Sequence, residues 1–228
     1  MLSKMEKSKK LAGEASLEFI KDGMTIGLGS GSTVNWMLKG LEQKVREGLD
    51  IKGIPTSLKT ERMAKRFGIP LIDFSSVNKI DFAIDGADEI DLHFNLIKGG
   101  GGSLVREKLI DIEATEFIVI ADESKLVSHL GTFSLPVEVL PFGWQQTLAR
   151  ISRLGGNPKR RMKDTEVFIS DNGNYIFDCD FGKIEDPKKI HEQLKLLVGV
   201  VETGLFVEMV SKVIVGRNNH VEILEVKK

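Results

Sequence analysis

Hydrophobic positions along the chain follow two alternating rhythms. Leu11, Ala15 and Phe19 recur every four residues until Asp22-Gly23, the spacing of one helix face followed by a stop. Residues 24–28 form a short apolar run, the length of a strand, and open into a glycine-rich turn. Val34, Leu38, Leu41 and Val45 mark the next helix face. Residues 51–55 read as a strand, and Ser57 is placed to cap a helix over 58–67 that Gly68 ends. Further strands are expected at 70–74, 80–84 and 117–121, with a helix over 103–114 before the last. Strands separated by helices of this length predict a doubly wound, mostly parallel sheet with helices on both faces.

The rhythm changes near Leu135. Residues 135–140 are expected as a strand between Pro136 and Pro141, and 144–154 as a helix stopped by Gly155-Gly156. Residues 166–170 and 175–179 alternate apolar and polar across Asp171-Asn172-Gly173-Asn174, a hairpin signal. Asp186-Pro187 opens a helix reaching Leu197, and 200–206 reads as a strand. The order βαββαβ predicts a smaller ferredoxin-like α+β domain inserted near the C-terminus. Residues 212–215 and 220–226 are expected as edge strands returning to the first domain. The expected division is therefore a Rossmann-like domain over 1–131 plus 208–228, and a small domain over 132–207. Neither internal repeats nor low-complexity segments interrupt this pattern.

Composition adds limits rather than a function. The chain has 228 residues, 32 Lys and Arg against 33 Asp and Glu, and a formal net charge of −1. That balance gives no general attraction to nucleic acid or anionic lipid. The hydrophobic share of 41% is that of a globular protein with a full core. The basic start of the chain is followed by Glu14, Glu18 and Lys21, not by an apolar signal segment, and the longest apolar runs are too short to span a bilayer. A lone Cys179 fits a reducing compartment. The expected setting is cytoplasmic, without membrane or nucleic-acid partners.

Candidate chemistry gathers after the predicted strands, where open α/β sheets bind ligands in a crevice. Gly27-Leu28-Gly29-Ser30-Gly31-Ser32-Thr33 offers backbone N–H groups, hydroxyls and a helix start, which suits phosphate; a plain turn capped by Ser32 or Thr33 fits as well. Its glycine spacing matches neither the dinucleotide fingerprint nor the P-loop. Asp85-Gly86-Ala87-Asp88-Glu89-Ile90-Asp91 places four carboxylates within seven residues, which repel unless a cation, a proton or a hydroxyl-rich ligand compensates them. A solvated acidic turn is the alternative. Lys98-Gly99-Gly100-Gly101-Gly102 costs backbone entropy and makes sense where the main chain approaches a ligand closely, with Lys98 as a cation and Glu107 one turn inside the next helix. Lys125, in Ala121-Asp122-Glu123-Ser124-Lys125, is alone a surface residue and in company a second cation for the same anion. His93, His129, His191 and His220 are scattered, so no histidine metal site is expected. Trp36, Trp144 and Cys179 are expected in the core.

Taken in order, these segments resemble ribose-5-phosphate isomerase of the A type. The matching stretches are Gly29-Ser30-Gly31-Ser32-Thr33, Asp85-Gly86-Ala87-Asp88-Glu89, Lys98-Gly99-Gly100-Gly101-Gly102 with Arg106-Glu107-Lys108, and Ala121 to Lys125. Leu135 to Val139, Asp171 to Asn174 and Thr203 to Phe206 extend the likeness over nearly the whole chain. The resemblance implies interconversion of D-ribose 5-phosphate and D-ribulose 5-phosphate in the non-oxidative pentose phosphate pathway, without metal or cofactor, by a homodimer or homotetramer. It implies Glu107 as general base and Asp85, Asp88 and Lys98 on the sugar. Ser30, Gly31, Ser32 and Thr33 with Lys125 would hold substrate and phosphate, and Gly86, Ala87, Gly99, Gly100 and Gly101 would line the sugar. Ser30 departs from the threonine expected in many relatives, a change that bears on affinity rather than reaction type.

The residues can carry that chemistry. Moving a carbonyl between C1 and C2 needs a carboxylate base and a cation or donor for the enediolate, roles suited to Glu107 and Lys98. Ring opening needs its own proton shuttle, a role suited to Asp85 with Asp88. A non-catalytic sugar-phosphate sensor, a sugar-phosphate deaminase and a CoA transferase are the alternatives; a regulator would need a DNA-binding module, and only about twenty residues precede the first strand.

Overall fold

The structure, a computed structural model, describes residues 2–226. Its first half runs α1 (Lys4–Ala15), β1 (Met24–Leu28), α2 (Ser32–Arg46), β2 (Ile51–Pro55), α3 (Leu58–Arg66), β3 (Ile80–Asp85), β4 (Glu89–Ile90), β5 (Leu96–Ile97), α4 (Leu104–Glu113) and β6 (Ala114–Asp122). The second half runs β7 (Leu135–Val139), α5 (Trp144–Arg153), β8 (Asn157–Arg160), β9 (Met162–Lys163), β10 (Glu166–Val167), β11 (Tyr175–Asp180), α6 (Pro187–Lys195), β12 (Val200–Thr203), β13 (Leu205–Phe206), β14 (Lys212–Arg217) and β15 (His220–Glu225). Two compact units divide these elements. The first holds the chain up to Ala87, Arg106–Lys125 and the chain from Met209; the second holds Asp88–Val105 and Leu126–Glu208. The compact boundary therefore differs from the expected division: residues 88–105, 126–131 and 208 cluster with the smaller unit.

The first unit is a doubly wound α/β layer structure. Its sheet has the order β15-β14-β6-β3-β1-β2, parallel throughout except for β15. The chain leaves β1 toward β2 and returns to β3 on the other side, so the winding reverses between β1 and β3. Loops that diverge at such a switch point open a ligand crevice at the carboxyl ends of the strands. Ile26, Leu28, Val34, Met37, Leu38, Leu41, Ile84, Ile118, Ile120 and Ile214 form the buried core. α4 lies tight against β1, since a Cβ on Gly27 would come 2.6 Å from Ile110 Cγ2.

The second unit has the predicted split-βαβ order, with sheet order β12-β7-β11-β8, all pairs antiparallel. Leu135, Val137 and Val139 of β7 and Phe177 and Cys179 of β11 meet Ile151 of α5 and Leu194 of α6. β13, β5 and β4 make a separate three-stranded sheet.

Four expected elements differ. Residues 70–74 carry one bridge, Leu71 to Gly53, and then a 3₁₀ turn over Phe74–Ser76, because Asp73 caps that turn through the Ser75 N–H. Residues 166–170 are not the sheet partner of β11: the Asn-Gly turn closes with Ser170 N–H on Asn174 O, but pairing beyond it ends at one Ile169–Tyr175 bridge. The true neighbour is β8, whose polar sequence Asn-Pro-Lys-Arg carries no alternation to detect. Residues 200–206 split at Gly204 into strands of two different sheets. Of the two C-terminal strands only β15 is an edge; β14 lies between β6 and β15.

Candidate active site

In the first unit, the end of β3 meets the loop after β1. Asp85 is fully buried, and its Oδ1 accepts the Ser30 N–H at 2.8 Å and the Gly86 N–H at 2.7 Å. Gly29 extends the β1–β3 pairing by donating to Ile84 O at 3.0 Å, and it must be glycine because any Cβ there would collide with the Asp85 carboxylate. The Ser30 hydroxyl turns inward, within 3.0 Å of Thr56 and Thr60 Oγ1 and 2.8 Å of Ser57 Oγ. Thr60 in turn donates to Gly29 O at 2.8 Å. Ser30 thus fixes the loop through a hydroxyl cluster that includes the N-cap of α3.

α2 begins directly after this loop. Its cap residue is Gly31, at φ 114°, with no side chain capping the first-turn N–H groups and no acidic residue among them. Exposed Gly31 and Ser32 and buried Thr33 line that start. Open amides and the helix dipole make it an anion seat. Lys125 ends a 3₁₀ turn after β6, and Asp122 Oδ1 holds that turn by accepting the Ser124 N–H at 3.0 Å. Glu107 lies in the first turn of α4 and is 3% exposed.

In the second unit, Asp88 and the glycine loop are joined. The Gly100 N–H donates to Asp88 Oδ2 at 2.7 Å, and a Cβ on Gly100 would come 2.6 Å from Asp88 Oδ1. Lys98 is 2% exposed, donates its N–H to Gly204 O at 2.8 Å and holds its ammonium 5.2 Å from the centre of the Phe206 ring. Gly204 marks where the expected single strand breaks, because the Lys98 carbonyl fills the space of a side chain there.

The structure separates the clustered carboxylates into two kinds. Glu89 accepts the Gly131 and Phe133 N–H groups at 2.7 and 2.6 Å, and Asp91 accepts the His93 and Asn95 N–H groups at 2.8 Å each. Both anchor loops away from the glycine turns, whereas in its own unit Asp85 holds the turn after β1 and in the other Asp88 holds the Gly100 amide. Trp36 is a correction to the expected core: it is half-buried and donates Nε1–H to Glu6 Oε2 at 3.1 Å. Trp144 packs on Tyr175 and Phe177, and Cys179 is buried, which pushes its thiol pKa up. Among the described residues no cluster of three or more His, Cys, Asp or Glu could hold a metal ion, and no helix is long and apolar enough to cross a membrane. The hydroxyls of Thr56, Ser57 and Thr60 were missed from sequence, where nothing sets them apart from ordinary helix-start residues.

The first unit is a doubly wound α/β layer structure with an uncapped helix start and buried Asp85 and Glu107, and the second holds buried Lys98 beside its glycine loop, features of the α/β enzyme class. Comparison with known proteins narrows it. The family model for ribose 5-phosphate isomerase A (phosphoriboisomerase A) matches residues 52–220. The chain is 54% identical to ribose-5-phosphate isomerase A of Bacillus mycoides over 94% of this chain and 97% of that one. It is 51% identical to ribose-5-phosphate isomerase A 1 of Oceanobacillus iheyensis over 97% and 100%. Among solved structures, ribose 5-phosphate isomerase from Plasmodium falciparum superposes with a TM-score of 0.95 at 39% identity, covering 98% of this chain and 100% of that one. A D-ribose-5-phosphate isomerase in complex with phospho-erythronic acid does so with a TM-score of 0.95 at 40% identity, over 97% and 99%. The chain belongs to the ribose 5-phosphate isomerase A family.

Proposed function

We propose that the chain interconverts D-ribose 5-phosphate and D-ribulose 5-phosphate by proton transfer through a cis-enediolate. The observation that carries the residue assignment is the burial of two groups that ordinarily charge, Glu107 at 3% exposure and Lys98 at 2%. Removing such groups from water costs several kcal/mol each, a cost folds sustain where chemistry needs them. Glu107 takes the proton from C2 of the open-chain aldose and returns it to C1, while the C2 hydroxyl proton passes to O1, leaving the carbonyl at C2. Lys98 stabilises the enediolate oxygens while the negative charge is on them. Asp85 and Asp88 move the protons that open the furanose, Asp85 being held by the Ser30 and Gly86 amides. Gly86, Ala87, Gly99, Gly100 and Gly101 present backbone to the sugar hydroxyls.

Ser30, Gly31, Ser32 and Thr33 at the start of α2, with Lys125, take the phosphate, Ser30 by shaping the loop. Gripping a remote phosphate fixes the reacting carbons and lowers the barrier at the other end of the substrate. The phospho-erythronic acid bound by a structural relative is a phosphorylated sugar acid whose planar, charged end resembles an enediolate, which supports this reading. A cytoplasmic homodimer or homotetramer is part of the same proposal.

The test is an assay of ribose 5-phosphate to ketopentose phosphate with EDTA present. The wild-type chain is expected to turn over, and Glu107→Gln to lose about 10³-fold in kcat with substrate still bound. Near-wild-type kcat in that variant would remove Glu107 from the role of base.

A further inference from the structure

We propose that Arg161, pinned by Asp178, is a positioning residue that sets the Gly99–Gly100 peptides and, through them, the Asp88 carboxylate. All of these residues belong to the second unit. The Arg161 side chain is 13% exposed, and its guanidinium faces two ways. Toward β11, Nε donates to Asp178 Oδ2 at 3.0 Å and Nη2 pairs with Asp178 Oδ1, a bidentate ion pair. Toward the glycine loop, Nη1 donates to Gly99 O at 2.8 Å and to Gly100 O at 3.1 Å. A planar fork with five donors can do both at once; a lysine ammonium cannot match that geometry.

Fixing both carbonyls fixes the plane of the peptide between Gly99 and Gly100. That peptide carries the Gly100 N–H, which donates to Asp88 at 2.7 Å. The path from Asp178 to Asp88 is therefore a continuous series of hydrogen bonds. The main chain of Arg161 is itself held, its N–H on Ile176 O at 2.8 Å and its carbonyl accepting from Phe168 N–H at 3.0 Å. The Phe168 ring occupies the space beside Gly102 that a side chain would need, so the far end of the loop leans on the same segment. Four glycines in a row have no side chains with which to fix their own conformation. Within the loop the Gly102 N–H donates to Gly99 O at 3.0 Å, and Arg161 adds two bonds to its carbonyls from outside. Gly100, Arg161 and Asp178 also border a cavity of about 420 Å³ that Thr132, Phe133 and Ser134 share.

This inference rests on the proposed isomerase reading, in which Asp88 serves ring opening. It predicts a split between two reactions. Ribose 5-phosphate must be opened before the enediolate forms. Ribulose 5-phosphate is already acyclic, because its 5-hydroxyl is esterified, and exchange of its C1 hydrogen with deuterated water needs only the base and the enediolate. Arg161→Gln is expected to lower kcat for ribose 5-phosphate by about 10²-fold, the scale of a misplaced catalytic group, with C1 exchange in ribulose 5-phosphate reduced at least about ten-fold less. Asp178→Asn, which keeps the shape and removes the charge, is expected to give the same split at smaller size, and it carries the test should Arg161→Gln not fold. Equal losses in both reactions, or no loss in either, would overturn the inference. A wild-type chain that catalyses neither reaction would remove the isomerase reading, and the role of Arg161 with it.

Discussion

Asp85, Asp88, Glu89 and Asp91 are the same chemistry on paper and different devices in the fold. Glu89 and Asp91 each gather two backbone amides that hold loops, whereas Asp85 and Asp88 share amides with the glycine turns after β1 and β5. The sequence shows that four carboxylates crowd together and need compensation. It cannot show which amide points at which carboxylate, because that depends on loops brought in from elsewhere in the chain. Ser30 illustrates the same limit: its hydroxyl reads as a phosphate ligand and is turned inward to Thr56, Ser57 and Thr60. Gly29 gives a test at this scale. Gly29→Ala would force a methyl group into the Asp85 carboxylate, so isomerisation should fall by about 10²-fold or more through displacement of that group. Kinetics on the soluble variant checks this, and unchanged kcat would show that Asp85 tolerates displacement.

At the level of elements, periodicity was a good guide wherever one face was buried. β1, β2, β3, α2 and α3 fall where the apolar spacing places them, and Ser57 caps α3 by accepting the Thr60 N–H at 3.0 Å. The pattern failed where burial did not decide the structure. β8 is polar along its length and pairs through its backbone, and the run from Val200 to Phe206 is broken by a packing contact with Lys98 O that no local signal announces. The Asn-Gly turn was real, but its arms were too short to be the sheet hairpin. Arg161 was hidden in the same way, inside the run Lys159-Arg160-Arg161, where sequence does not set one cation apart from the next. Ser57 joins the two sides of this argument, since it caps a helix and also meets Ser30 Oγ. Ser57→Ala should therefore cost about 1 kcal/mol, a fall in Tm of roughly 2–4 °C for a chain of this size, and should also raise KM for the sugar phosphate. Calorimetry with steady-state kinetics separates the two effects; a lower Tm with unchanged KM would detach the hydroxyl cluster from substrate binding.

For the molecule as a whole, two carboxylates in the first unit couple stability to pH. Hydrogen bonds from Lys9 and Trp36 lower the Glu6 pKa from its ordinary value of 4.5, tying α1 to α2. Hydrogen bonds from Lys79 and from the Thr25 amide lower the Asp81 pKa from its ordinary 3.8, tying β3 to β1. Because the folded values lie below the unfolded ones, the unfolded chain binds more protons across this interval. The stabilisation is complete above the ordinary carboxylate range and is lost as pH falls through the lowered folded values. Asp81→Asn should lower Tm at pH 7, and the difference from wild type should shrink as pH falls below the ordinary carboxylate range. Thermal unfolding at several pH values measures it; a gap independent of pH would place the effect of Asp81 in packing rather than charge.

The position of β14 has a consequence for how the chain is made. β14 sits inside the sheet of the first unit, hydrogen-bonded to β6 from Lys212 to Gly216 and covered by α1, with the Ser8 carbonyl filling the space beside Gly216. α1 therefore waits for a strand that follows the whole second unit in chain order. Until then β6 presents an open apolar margin, and a nascent chain released early would be a target for chaperones or for pairing with its neighbours. Completion of this unit therefore has to follow synthesis of the second unit.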